Sequence, residues 1–95
     1  MHVEWDESKS SGNERKHGVS FPEASTVFFD EHAVVIHDPD HSEREDRFVM
    51  IGLSRSGREL VVCHCYREHD ELESIRIISA RKANRQETQD YWSMR

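Results

Sequence analysis

Ninety-five residues, 35% of them hydrophobic and 34% charged, with a formal net charge of −6, leave room for one domain spanning residues 1–95 and one modest core. No apolar stretch approaches the roughly 20 residues that a membrane helix needs. The start, Met1-His2-Val3-Glu4-Trp5-Asp6, lacks the blocks of a signal peptide, so a cytoplasmic protein with no membrane partner is expected.

Along the chain, Asp6 has the chemistry of a helix N-cap, and Gly18 that of the residue closing the same helix after Lys16-His17. The helix between them is poor in apolar residues. It is expected to lean on the domain through Trp5 and the stems of its long side chains. Ser20-Phe21-Pro22-Glu23 reads as a capping box opening a second, short helix, with Ala24, Val27 and Phe28 on its apolar face. Ala33–Ile36 reads as a first strand, Asp38–Ser42 as a loop, and Arg47–Gly52 as a second strand. Ser54–Arg58 reads as a hairpin turn in which Gly57 can take a positive backbone angle. Leu60–Tyr66 is the third strand, Glu68–Glu73 a polar link, and Ser74–Ser79 the fourth strand. A helix from Ala80 to about Trp92 closes the chain, with Ser79 as its N-cap. The expected fold is α+β: two N-terminal helices, a four-stranded antiparallel meander and a C-terminal helix packed on one side.

The run Ile75-Arg76-Ile77-Ile78-Ser79-Ala80-Arg81-Lys82-Ala83 carries most information about function. Alternation puts Ile75, Ile77 and Ser79 on one face, and Arg76 and Ile78 on the other. Arg81 and Lys82, read as first-turn helical residues, oppose the helix dipole, and a bound phosphate would explain them. Charge is unevenly spread. Ser74–Arg95 holds five basic residues against two acidic ones, whereas Asp30–Asp46 holds seven acids and only Arg44 as a base. Lys9, Arg15 and Lys16 form a second basic group, and a local patch is enough to hold a phosphate.

Cys63 and Cys65 lie too close in sequence to close a good disulfide and read as reduced, partly buried thiols. Cys63-His64-Cys65 is a weak metal motif, because a strand turns His64 away from both thiols and no second ligand pair follows; no metal or other cofactor is expected. His32, His37, His41 and His69 show no shared ligand spacing, and they read, with the acids of residues 38–46, as solvated.

Several motifs in order resemble the BrnT family: Trp5-Asp6-Glu7-x-Lys9, Asn13-x-x-Lys16-His17-Gly18-Val19-Ser20-Phe21, Ala24, Arg47-Phe48, Ile51-Gly52 and the 75–83 run. Leu60-Val61-Val62, His64, Arg67, Glu87 and Tyr91 also fall where that pattern expects them. The resemblance implies a RelE-like fold and a ribonuclease toxin of a type II toxin–antitoxin system that arrests translation. It also implies a BrnA-like ribbon-helix-helix antitoxin, through which the pair meets DNA only indirectly. That antitoxin is expected to cover the basic face through acidic contacts to arginine.

Small ribonucleases can work without metal. The ribose 2′-hydroxyl attacks phosphorus when a base takes its proton, cations stabilise the phosphorane, and an acid protonates the leaving oxygen. Arg76 is the first candidate for phosphate stabilisation, followed by Arg81 and Arg67, since arginine grips phosphate oxygens in pairs. For Arg76 the plainer reading is an exposed strand residue paired with a neighbouring acid. His64 is a candidate acid or base, against a satisfied, half-buried histidine. His17 is a second candidate, against a helix-end residue favoured by the dipole. Lys9, Arg15, Lys16, Lys82 and Arg85 are candidate RNA contacts. Tyr91 could stack on a base or donate a proton, against an anchor for the last helix. The expectation is thus a metal-independent endoribonuclease with RNA as substrate. The final helix is less basic than the family pattern, which keeps open an attenuated relative acting as antitoxin-binding corepressor.

Overall fold

The computed structural model describes residues 2–94; Met1 and Arg95, the latter counted above in the basic C-terminal segment, lie outside the described residues. Strand β1 (His2–Glu4) precedes helix α1 (Glu7–His17) and helix α2 (Phe21–Ser25), which a 3₁₀ turn prolongs over Thr26–Phe29. Then come β2 (Val34–Asp38), a 3₁₀ turn (Pro39–His41), β3 (Arg47–Leu53), β4 (Glu59–His69), β5 (Leu72–Lys82) and α3 (Arg85–Ser93). The sheet runs β1-β5-β4-β3-β2. The expected meander is there as β2 to β5, each strand antiparallel to the next. The α+β class therefore holds, but the sheet is five-stranded and mixed, because β1 adds parallel to β5 with Val3 opposite Ile75. Three residues carry too little periodicity to announce a strand; pairing with the free edge of β5 makes one.

The caps explain the helix boundaries. Asp6 accepts from the Lys9 N–H at 3.1 Å, and Gly18 ends α1 at φ 72°. Ser20 accepts from the Glu23 N–H at 3.3 Å, but the expected capping box is only half formed. The Glu23 carboxylate turns instead to Arg58 Nε at 2.9 Å and to the Ser54 hydroxyl at 2.8 Å, clamping α2 to the β3–β4 hairpin.

α1 has no apolar stripe and is docked by polar groups. Its buried Asn13 donates to the carbonyls of Val19 and Ala80, both at 2.8 Å, and accepts from the Ala80 N–H at 3.2 Å. Ser10 accepts from the Phe21 N–H at 3.0 Å. β1 pairs β5 only over residues 74–76, so Ala80 has no strand on its outer side, and the Asn13 amide takes that place. Below α1 and α2, Val19, Phe21, Ala24, Val27, Leu60, Val62, Ile77 and Ala80 form the core.

Three expectations about the C-terminal half change. Ser79 does not cap a helix: β5 runs on to Lys82, paired with Leu60, and α3 is capped by Asn84 in a full capping box with Glu87. Strand alternation, continued opposite β4, overrides the local cap signal of Ser79. The polar link 68–73 is a tight turn on Asp70 and Glu71, both at positive φ (51° and 67°), with the flanking acids in the strands. Ile78 is the third. Ser79 opposes Cys63 and Ile77 opposes His64, so Ile78 is an extra, bulged residue. The bulge reverses the alternation, and Ser79 shares a face with Arg76, not with Ile75 and Ile77.

Candidate active site

Pairing fixes which side chains share a face. Leu60 and Val62 face the helices, so alternation turns Val61, Cys63, Cys65 and Arg67 to the other side of β4. Their partners on β5, respectively Arg81, Ser79, Arg76 and Ser74, face the same way. On β3 the same side carries Val49, opposite Cys63, and Arg47 two residues earlier. The face turned away from α1 and α2 therefore bears four arginines: 47, 67, 76 and 81.

A groove of about 270 Å³ lies on this face. Val49, Val61 and Ile78 give it an apolar floor, while Arg47, Arg81, Ser79, His17, His41 and Asp38 supply the polar wall. His17 reaches it from the last turn of α1 and His41 from the turn after β2. His41 Nδ1 lies 2.7 Å from Asp38 Oδ2, which directs its Nε2 elsewhere. A second cavity of about 500 Å³, bounded by Asp40, Glu43, Arg44 and Glu45, shares Arg47 and His41 with the groove. The Cys63 thiol at the groove is pushed up by burial and is no nucleophile in its resting state.

Three of the four arginines meet carboxylates of the same chain. Arg81 donates to Glu87 through both terminal nitrogens, at 2.7 and 2.9 Å, and this contact lowers the Glu87 pKa and raises that of Arg81. Arg67 lies 3.2 Å from Glu45, and Arg76 3.8 Å from Glu4. Among the described residues no carboxylate lies within ion-pair distance of Arg47.

Of the sequence candidates, Arg81 and His17 come together at the groove, while Arg76 and Arg67 sit further along the same face. Arg76 and Arg81 stand opposite Cys65 and Val61, four residues apart on β4 and so about 13 Å along the sheet, and they do not converge on one phosphate. His64 is on the opposite face. It is fully buried, with Phe28 at 4.9 Å ring to ring and Nδ1 3.2 Å from the Val62 carbonyl, and burial lowers its pKa. It is a neutral core histidine. Tyr91 is 1% exposed and donates to Asp30 Oδ2 at 2.6 Å, so its ring is not available to stack on a base. Lys9, Arg15 and Lys16 are exposed on α1, Arg85 opens α3, and Lys82 ends β5 opposite Leu60, on the side of the helices. Among the described residues no three His, Cys, Asp or Glu side chains gather as a metal-holding group.

Sequence reading missed Arg47, His41 and Asp38. Asp38-x-x-His41 after a strand was the available signal; the surrounding acids masked it.

Residues 5–87 match the family model described as ribonuclease toxin, BrnT, of type II toxin–antitoxin system. No curated protein matches the chain. The model likewise ends at Glu87, the partner of Arg81.

Proposed function

The chain belongs to the BrnT family of ribonuclease toxins of type II toxin–antitoxin systems, and on that premise we propose that it is a metal-independent endoribonuclease acting in the Arg47–Arg81 groove. The observation carrying this reading is that one groove joins two guanidinium groups to two imidazoles, one of them oriented by a carboxylate. His41, held through Nδ1 by Asp38, offers Nε2 as the base that takes the 2′-hydroxyl proton. The 2′-oxygen then bonds to phosphorus as the bond to the 5′-oxygen breaks. His17 gives that oxygen its proton, leaving a 2′,3′-cyclic phosphate and a 5′-hydroxyl. Arg47 and Arg81 face the charge that grows on the phosphorane. Arg76 and Arg67, with the α1 cations Arg15 and Lys16, would bind the flanking backbone. The partner on this reading is a BrnA-like antitoxin, with DNA reached through it.

Cleavage of end-labelled RNA in EDTA tests the proposal. Wild type is expected to give cyclic-phosphate ends, and Arg47→Ala and His41→Gln to slow cleavage by roughly 10²–10⁴, the usual worth of such groups. Cleavage that requires a divalent ion, or that both variants retain, would refute it.

A second reading, an attenuated toxin acting as antitoxin-binding corepressor, draws on Glu4, Glu45 and Glu87, which stand where phosphates would bind. Wild type that leaves RNA intact yet binds the antitoxin would favour it.

A further inference from the structure

The helices cover only part of the sheet face on which they pack. Beyond them Phe48 meets Tyr66 at 5.1 Å and His37 at 5.3 Å, ring to ring, so an aromatic ledge runs from the edge strand β2 to β4. Beside it lies a cavity of about 390 Å³, walled by Phe28, Met50, Tyr66, Ile75 and Glu73. Tyr66 is 42% exposed, as is Val35 at the β2 end of the same face.

The ledge has a charge of one sign at its end. Glu68 and Glu73 stand directly opposite each other on β4 and β5, and alternation from Tyr66 and Ile75 puts both on this face. Like charges so placed repel. Among the described residues neither glutamate has a cation within ion-pair distance. On the other face, by contrast, Arg67, Arg76 and Arg81 already hold carboxylates, which an acidic partner would have to displace.

We propose that the antitoxin docks on this ledge through a cationic amphipathic segment. One apolar side chain fills the cavity between Phe28 and Tyr66, and a lysine or arginine lies between Glu68 and Glu73. Such a segment buries the aromatic strip and relieves the repulsion, which an RNA backbone, being anionic, cannot do. This rests on the family's having an antitoxin, not on the nuclease mechanism, and it replaces the acidic contacts to arginine expected from the sequence.

The test is calorimetric titration of the full chain with its purified antitoxin, beside RNA cleavage by each variant alone. Tyr66→Ala shortens the ledge, and Glu68→Lys turns the like pair into a Lys–Glu pair that the strand tolerates. Each is expected to weaken binding tenfold or more, the second by less as salt rises, with cleavage unchanged and Arg47→Ala binding as wild type does. The proposal is overturned if both ledge variants bind normally, if Arg47→Ala abolishes binding, or if wild type does not bind. It is also overturned if the ledge variants only convert a dimer of this chain to monomer, since the ledge is then the seat of a second copy. Failure of the groove reading appears in the cleavage arm alone.

Discussion

Asn13→Ala removes the amide that docks α1. The variant loses three hydrogen bonds and leaves the Val19 carbonyl and both peptide groups of Ala80 without their partner. Asn13 is 9% exposed, so little water reaches the gap. An intramolecular hydrogen bond is worth about 1 kcal/mol net, and a buried group left unpaired costs about 1–3 kcal/mol. Allowing one of the three to find water, the loss is about 3 kcal/mol, or roughly 12–24 °C in Tm for a chain of this size. Urea unfolding should show the midpoint falling with an unchanged slope. Asn13→Asp separates the two halves of the contact. It keeps an acceptor for the Ala80 N–H but sets a carboxylate against two carbonyl oxygens. It should lose at least as much near neutral pH and recover in part below about pH 4, where the protonated acid can donate. A loss under about 1 kcal/mol in Asn13→Ala would refute the view that this amide stands in for a missing strand. His17 sits one turn beyond Asn13, so a loosened α1 should also slow cleavage in conditions where the variant remains folded.

Glu23 is held at about 2 from an ordinary value near 4.5, chiefly by its hydrogen bond to Arg58. A depressed carboxylate stabilises the fold above its unfolded pKa and stops doing so as pH falls from about 4.5 toward 2. The full gap would be roughly 3 kcal/mol, and with the Glu23 side chain 21% exposed about 1–2 kcal/mol is expected. Glu23→Gln should therefore flatten the acid limb of a Tm–pH curve, and an unchanged limb would assign that loss elsewhere. His64→Gln should cleave RNA at the wild-type rate while unfolding earlier by about 1–3 kcal/mol, from the lost core packing; a loss of activity in folded protein would return His64 to the site. At Gly52 a Cβ would lie 2.9 Å from Val27 Cγ1 and 3.0 Å from both Ala33 Cβ and Asp30 Oδ2. Gly52→Ala should cost about 1–3 kcal/mol in a thermal melt, and an unshifted Tm would show that the turn after α2 yields easily.

Residues with strong local chemistry were legible. Asp6, Gly18, Ser20 and Gly57 stand where capping and turn rules place them, and the meander follows its alternation. What was not legible depends on distant partners. β1 exists because β5 has a free edge at residues 74–76, and Glu23 leaves its own cap because Arg58 arrives from a hairpin 35 residues away. Ser79 reads as the cap from its local sequence, whereas Asn84 caps α3 in the fold. Only the pairing of Lys82 with Leu60 decides between them. The groove was half visible for the same reason. Arg81 and His17 announce themselves by charge and position, whereas Arg47 and His41 look like any strand end and acidic loop until the sheet is assembled.

The bulge at Ile78 links these points. Without it, strict alternation would set Arg76 with Ile78 and Ala80, and Arg81 with Ile77 and Ser79. Either Ala80 or Ile77 would then leave the core, or Arg81 would be turned into it. One extra residue lets Ile77 and Ala80 both face α1 and α2 while Arg76, Ser79 and Arg81 all face the groove side. It also lies beside Ala80, whose outer edge Asn13 closes. The alignment of the β5 arginines on one face is therefore a consequence of this local irregularity. A regular β5 could satisfy the core or the arginine face, but not both.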